Sequence, residues 1–132
     1  MISFSVETRQ RKEMTDITAE VRRAVSSAGM ENGAVVVFVP HTTAGVTINE
    51  NADPDVRRDI LAHMATLVPE DTPFAHSEGN SDAHVQATLV GSSVMVIVEN
   101  GRLVLGTWQS VFFCEFDGPR TRKVLVQMLP AS

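Results

Sequence analysis

The 132-residue chain holds one cysteine, one tryptophan and no tyrosine. Cys114 alone can close no disulfide within the chain, so packing must hold the fold, with subunit packing a further source of stability. Six phenylalanines complete the aromatic set, too sparse for a surface on which single-stranded nucleic acid would stack. Positive charge is also short. Eleven basic against sixteen acidic side chains leave a net charge of -5 at pH 7, so no basic field gathers phosphate backbones or anionic lipid. Long apolar runs are missing: residues 34–39 and 94–98 are strand-sized, far below the roughly 18 residues of a spanning helix. Residues 1–6 run straight into Glu7, Arg9, Arg11 and Lys12, without the basic-then-apolar order of a secretory signal. These absences predict a cytoplasmic protein without nucleic-acid or membrane partners.

What is present is the composition of a globular chain, 43% apolar and 20% charged, at a length that suits one domain over residues 1–132. Residues 2–8 alternate apolar and polar, the period of a half-buried strand. Thr18 is placed to cap a helix in which Val21, Ala24, Val25 and Ala28 recur at helical spacing, with Gly33 at the exit. Residues 34–39 read as a strand buried on both sides and ended by Pro40. A strand over residues 45–49 follows, and then Asp53-Pro54 as cap and first residue of a helix whose Val56, Ile60, Met64 and Leu67 face the core. Residues 68–80 read as a long loop, and a short helix capped at Asn80 or Ser81 ends at Gly91. Asn100-Gly101 between two apolar runs is the signal of a type I′ hairpin. Two further strands follow at residues 111–116 and 123–129. The expected class is α+β: a mainly antiparallel β-sheet folded as a sandwich, with two to three helices.

Four polar blocks border these elements. His41-Thr42-Thr43 follows a buried strand, with Asn49, Glu50, Asn51 and Asp53 beyond it; such loops hold reactive groups on a rigid scaffold, although Asn51 and Asp53 are explained by capping alone. Residues 76–84 contain His76, Glu78, Asn80, Asp82 and His84. Imidazole and carboxylate suit both a divalent metal and acid–base work near neutral pH, whereas surface histidines beside a helix cap would look the same. With His41 a third ligand becomes available, so His41, His76 and His84 are expected to converge. Mid-helix His63 and apolar-run Cys114 are expected to have no chemical role. Gly106-Thr107-Trp108-Gln109 fits either a pocket wall or a core tryptophan. In residues 115–122, two acids and two arginines flank a tight turn, so Arg120 can hold a phosphate bidentately or form part of a solvated ion-paired turn.

In this order the blocks resemble the YjbQ-like family, whose members are named secondary thiamine-phosphate synthases. The resemblance implies a small α+β sheet sandwich, a homotrimer, and sites where the blocks meet near subunit boundaries. The activity it implies joins a pyrimidine methyl diphosphate to a thiazole phosphate with release of diphosphate. Two other readings stand beside it: a metal-dependent hydrolase or phosphatase acting on a small phosphorylated metabolite, and a non-catalytic trimeric protein that binds a small anion. The site expected across these readings has Glu78, Asp82 and His84 as catalytic groups. Thr42, Thr43, Asn49, Asn80, Trp108, Gln109 and Arg120 contact substrate or phosphate, and His41, His76 and His84 hold zinc or magnesium.

Overall fold

The computed structural model describes residues 1–132. The first alternating stretch forms β1, Ile2–Glu7, and a strand without apolar periodicity follows as β2, Glu13–Asp16, where Met14 alone is buried. Helix α1 is Thr18–Ala28. Its N-cap position is Ile17, and the preceding Asp16 accepts through Oδ1 from the Thr18 N–H at 2.9 Å and from the Thr18 hydroxyl at 2.6 Å. Thr18, the expected cap, is instead the first helical residue, and its oxygen accepts the Val111 N–H at 2.8 Å. Gly29, at φ 68°, ends the helix four residues before the expected exit.

Strands β3 (Gly33–Phe38) and β4 (Ala44–Glu50) precede α2, Pro54–Leu67. The Asp53 side chain caps α2 by accepting the Asp55 N–H at 2.9 Å, and Pro54 occupies the first turn, where its missing N–H costs nothing. Helix α3 is Ser81–Val90. Strands β5 (Ser93–Glu99) and β6 (Arg102–Leu103) meet at Asn100-Gly101, whose φ values of 52° and 75° are those a type I′ turn requires. Strands β7 (Gln109–Glu115) and β8 (Thr121–Pro130) complete the chain.

Every ladder is antiparallel, in a five-stranded sheet ordered β1-β8-β3-β5-β6 and a three-stranded sheet ordered β2-β7-β4. The main core, including Val35, Val37, Val46, Val111, Phe113, Val124 and Val126, lies between the sheets and α1. Strand β7 sends alternate side chains the other way: Phe112, Cys114 and Phe116 join Met14, Ala83 and Ala87 in a second core, against which Ile60, Leu61 and Met64 of α2 pack. The small sheet is therefore apolar on both faces, as its run of buried residues requires.

The large sheet is covered on one face only. Val35 and Val37 are fully buried, but their outward neighbours are not, which corrects the expectation that residues 34–39 are buried on both sides. The outer face exposes Phe38, Leu129, Met95 and Ile97, the last two each 62% accessible. Helix α2 contains no buried residue, and Leu67, expected in the core, is exposed. No helix is long and apolar enough to cross a membrane.

Candidate functional site

Beyond β3, Val39 and Pro40 lead the chain through His41, Thr42 and Thr43 into β4. Opposite lies the C-terminal half of α3, seated unusually close. A Cβ on Gly45 would lie 2.5 Å from the Gly91 carbonyl oxygen, and the same oxygen accepts the Val46 N–H at 3.1 Å. Only glycine at position 45 allows that approach. Between loop and helix is a cleft of about 470 Å³ lined by His41, Thr42, Ala44, His84, Ala87, Thr88, Gly91 and Ser92. His84, Ala87, Thr88 and Gly91 are spaced three, four and seven residues apart, one face of a helix. The lining contains no carboxylate, although the chain has sixteen.

His41 is fixed by the backbone. Its Nε2 accepts the Lys123 N–H at 2.9 Å. In the β3·β8 ladder Phe38 is paired with Leu125, so at Lys123 the partner strand has ended and the imidazole supplies the acceptor. Burial, and next the nearby Arg122 guanidinium, push the His41 pKa below the ordinary histidine value. Both causes favour the uncharged imidazole. His84 meets His76 edge to face, with ring centroids 5.6 Å apart, and Nε2 of His76 lies 3.6 Å from an oxygen of exposed Glu78.

Behind the loop is a buried ion pair. Arg122 donates from Nε to Glu115 Oε1 at 2.8 Å and from Nη2 to the Thr43 hydroxyl at 2.8 Å. Burial opposes the Glu115 charge, but the donors on it, Arg122, the Asp117 N–H and the Thr8 hydroxyl, outweigh burial and hold its pKa below the ordinary glutamate value. Thr43 thus anchors the loop from beneath, while Thr42 faces the cleft.

Asp82 and Gln86 lie on another face of α3. Asp82, completely buried, accepts from Arg11 at 3.1 and 3.2 Å and from Lys12 at 2.7 Å, and Gln86 accepts from Lys12 at 2.7 Å. Burial opposes the Asp82 charge, and the two cations more than offset it, so its pKa is lowered. Next to this group Asn80 donates to Asp117 at 2.9 Å, and Arg120 donates to the Asp117 carboxylate at 3.1 Å and its carbonyl at 2.9 Å. These charges are spent on one another.

Of the expected site residues, His41, Thr42 and His84 line one cleft, with His76 against His84 and Thr43 beneath. Asn80, Asp82 and Arg120 form the neighbouring charged network, outside the lining. Asn49, Trp108 and Gln109 lie at the far end of the β4·β7 pair: Ala44 is opposite Glu115, whereas Glu50 is opposite Gln109. Six residues of strand put that end roughly 20 Å from the cleft. Trp108 is not a core residue, being 64% exposed, and Gln109 closes its own turn by accepting the Gly106 N–H at 2.8 Å. His41, His76 and His84 share one side of the molecule, but no three histidine, cysteine or carboxylate side chains form a group that could hold a metal ion. Within one chain, therefore, these imidazoles do not form a three-ligand cluster. Cys114 is buried, and burial pushes its thiol up to about 12, consistent with an inert core role. Sequence reasoning missed Arg122, Glu115 as its partner, and Thr88 and Ser92. A buried charge looks like a surface charge in sequence, and only the Thr88 spacing from His84, one helical turn, was available as a signal.

A family model described as UPF0047 protein YjbQ-like matches residues 2–131. UPF0047 protein YugU of Bacillus subtilis is 51% identical over 128 residues, covering 96% of this chain and 97% of that protein. UPF0047 protein MJ1081 of Methanocaldococcus jannaschii is 46% identical over 129 residues, 98% of this chain and 94% of that one. Among solved structures, an uncharacterized conserved YjbQ/UPF0047 protein of Clostridium acetobutylicum superposes with a TM-score of 0.96 at 53% identity, covering 98% of this chain and 100% of that one. A YbjQ-like protein of unknown function from Sulfolobus solfataricus gives 0.94 at 34% identity, covering 98% and 96%. The α+β fold is therefore that of a known structural group. The chain belongs to the YjbQ-like UPF0047 family. These relatives correct the expected thiamine-phosphate synthase activity: they are named by family alone, or described as uncharacterized or of unknown function, and none is tied to thiamine synthesis.

Proposed function

We propose that the cleft between the 41–43 loop and α3 binds a small phosphorylated metabolite, and that the binding unit is a homotrimer. The observation that carries the ligand class is the lining itself. Two imidazoles and the Thr42 and Ser92 hydroxyls meet there without a carboxylate, in a chain with a net charge of -5. Such a surface offers hydrogen-bond donors and repels no anion. The assembly is supported by the uncovered apolar outer face of the large sheet, which runs up to the cleft through Phe38 and Ser93. Within one chain Trp108 and Gln109 cannot reach the cleft, and a neighbouring copy can bring them near it. A cytoplasmic location belongs to the same reading, supported by a lone, unpaired, buried cysteine.

Calorimetric titration with inorganic phosphate and with diphosphate tests the ligand class. Saturable binding that weakens about tenfold or more in His41→Ala is the expected result, the loss of one hydrogen bond to a charged group. No saturable binding at millimolar concentrations of either probe overturns the reading. Sedimentation that gives only monomer at micromolar protein overturns the assembly.

A further inference from the structure

We infer that His41 is a fixed, neutral hydrogen-bond donor, held in the Nδ1–H tautomer by the β8 backbone and directed at an oxygen of the bound anion. The inference rests on the anionic-ligand reading and assigns the group that recognises the ligand.

Neutral imidazole carries one proton, and whichever nitrogen accepts a hydrogen bond is the one without it. Nε2 accepts the Lys123 N–H. That amide lies where β8 has outrun β3, so the imidazole stands in for the carbonyl a partner strand would supply. The proton is therefore on Nδ1, the nitrogen left for a ligand. A cation at Nε2 would have to displace the Lys123 amide, and one at Nδ1 would drive the proton onto Nε2, against a donor. An anion meets neither obstacle. The buried Arg122 behind the loop disfavours the imidazolium and ties the Thr43 hydroxyl, so the loop presents a neutral donor in one orientation. A donor already positioned for a phosphoryl oxygen requires no reorganisation on binding.

The test is long-range ¹H–¹⁵N correlation of the histidine rings in the intact, assembled protein at pH 7, first free and then with inorganic phosphate. In the free protein, a pyrrole-type Nδ1 and a pyridine-type Nε2 at His41 are expected, and saturating phosphate should shift Nδ1 and its proton. An Nε2–H tautomer or an imidazolium in the free protein overturns the inference whatever phosphate does. Phosphate binding seen by calorimetry without any change at Nδ1 also overturns it while leaving the anion reading intact. Absence of phosphate binding removes that reading and the donor role with it, a failure told apart because the free-protein tautomer is read independently. Lys123→Pro, which removes the amide, should release the ring into mixed tautomers; a ring unchanged in a folded Lys123→Pro variant shows that the amide does not hold it.

Discussion

The two sides of helix α3 face different electrostatic worlds. On one, Asp82 and Gln86 join Arg11, Lys12, Asp117, Asn80 and Arg120 in a dense network in which the charged groups answer one another. On the other, His84 looks across a cleft at His41 and Thr42, with no Asp, Glu, Lys or Arg in the lining, and Thr88 beside it donates its hydroxyl to the His84 carbonyl. Density of charge marks where the fold is tied together; unspent hydrogen-bonding capacity marks where a ligand can go. Paired buried charges are retained at a desolvation cost that their partners must offset, so they have little left to give a substrate.

That contrast is broken most forcefully at the buried pair under the loop. Arg122→Met leaves Glu115 charged and surrounded by protein, and stability should fall by about 4 kcal/mol, measured by urea denaturation. Glu115→Gln in the same measurement should cost less, because it keeps the shape and one acceptor oxygen. On the network side, Asp82→Asn should cost about 2 kcal/mol, reduced from the fully buried case because Arg11 and Lys12 can partly turn to water. Phosphate affinity should stay unchanged. A folded Asp82→Asn protein that loses phosphate binding at full stability would move the functional site to the network.

The acid limb of stability sharpens the same distinction. His41, Glu115 and Asp82 all have lowered pKa values in the folded chain. In each case the unfolded chain binds the proton more readily, so their contribution is present above the unfolded pKa and is lost as pH falls. Stability should begin to decline below about pH 6.5 through His41 and fall more steeply below about pH 4.5 through Glu115, Asp82 and the similarly lowered Glu13. His41→Ala should remove the upper part of the decline only, as read from denaturation midpoints between pH 7 and pH 3.

Much of this architecture was legible because local chemistry and global packing agree. Asp53-Pro54 opens α2, Asn100-Gly101 makes the hairpin, and the β-branched run around Val35 and Val37 is a central strand. Strand β2 was hidden because Glu13–Asp16 has one apolar anchor and takes its order from β7. The core position expected for Leu67 and the core alternative for Trp108 fail in a common way: apolarity says that a side chain gains from leaving water, and not which chain will cover it. At the site, the boundary position of His41 and His84 was readable, and both line one cleft. The roles within the charged blocks were not, because partners distant in sequence decide whether a carboxylate is a base or a tie. Asp82 pairs with residues seventy positions away.

The smallest expected effect is at Arg120, where the sequence permits either a phosphate clamp or a surface tie. Its guanidinium is half exposed, donates to the carboxylate and carbonyl of Asp117, and lies outside the cleft lining. Arg120→Lys retains the charge and loses the planar fork. As a surface tie it should change stability by no more than about 1 kcal/mol, because exposed pairs are screened and entropically costly to hold. Phosphate affinity in the assembled protein should be the same as wild type. A tenfold loss of affinity in this variant, with folding and assembly intact, would mean that Arg120 turns from Asp117 to the ligand, and the division between spent and unspent donors would fail at the one residue most exposed to both.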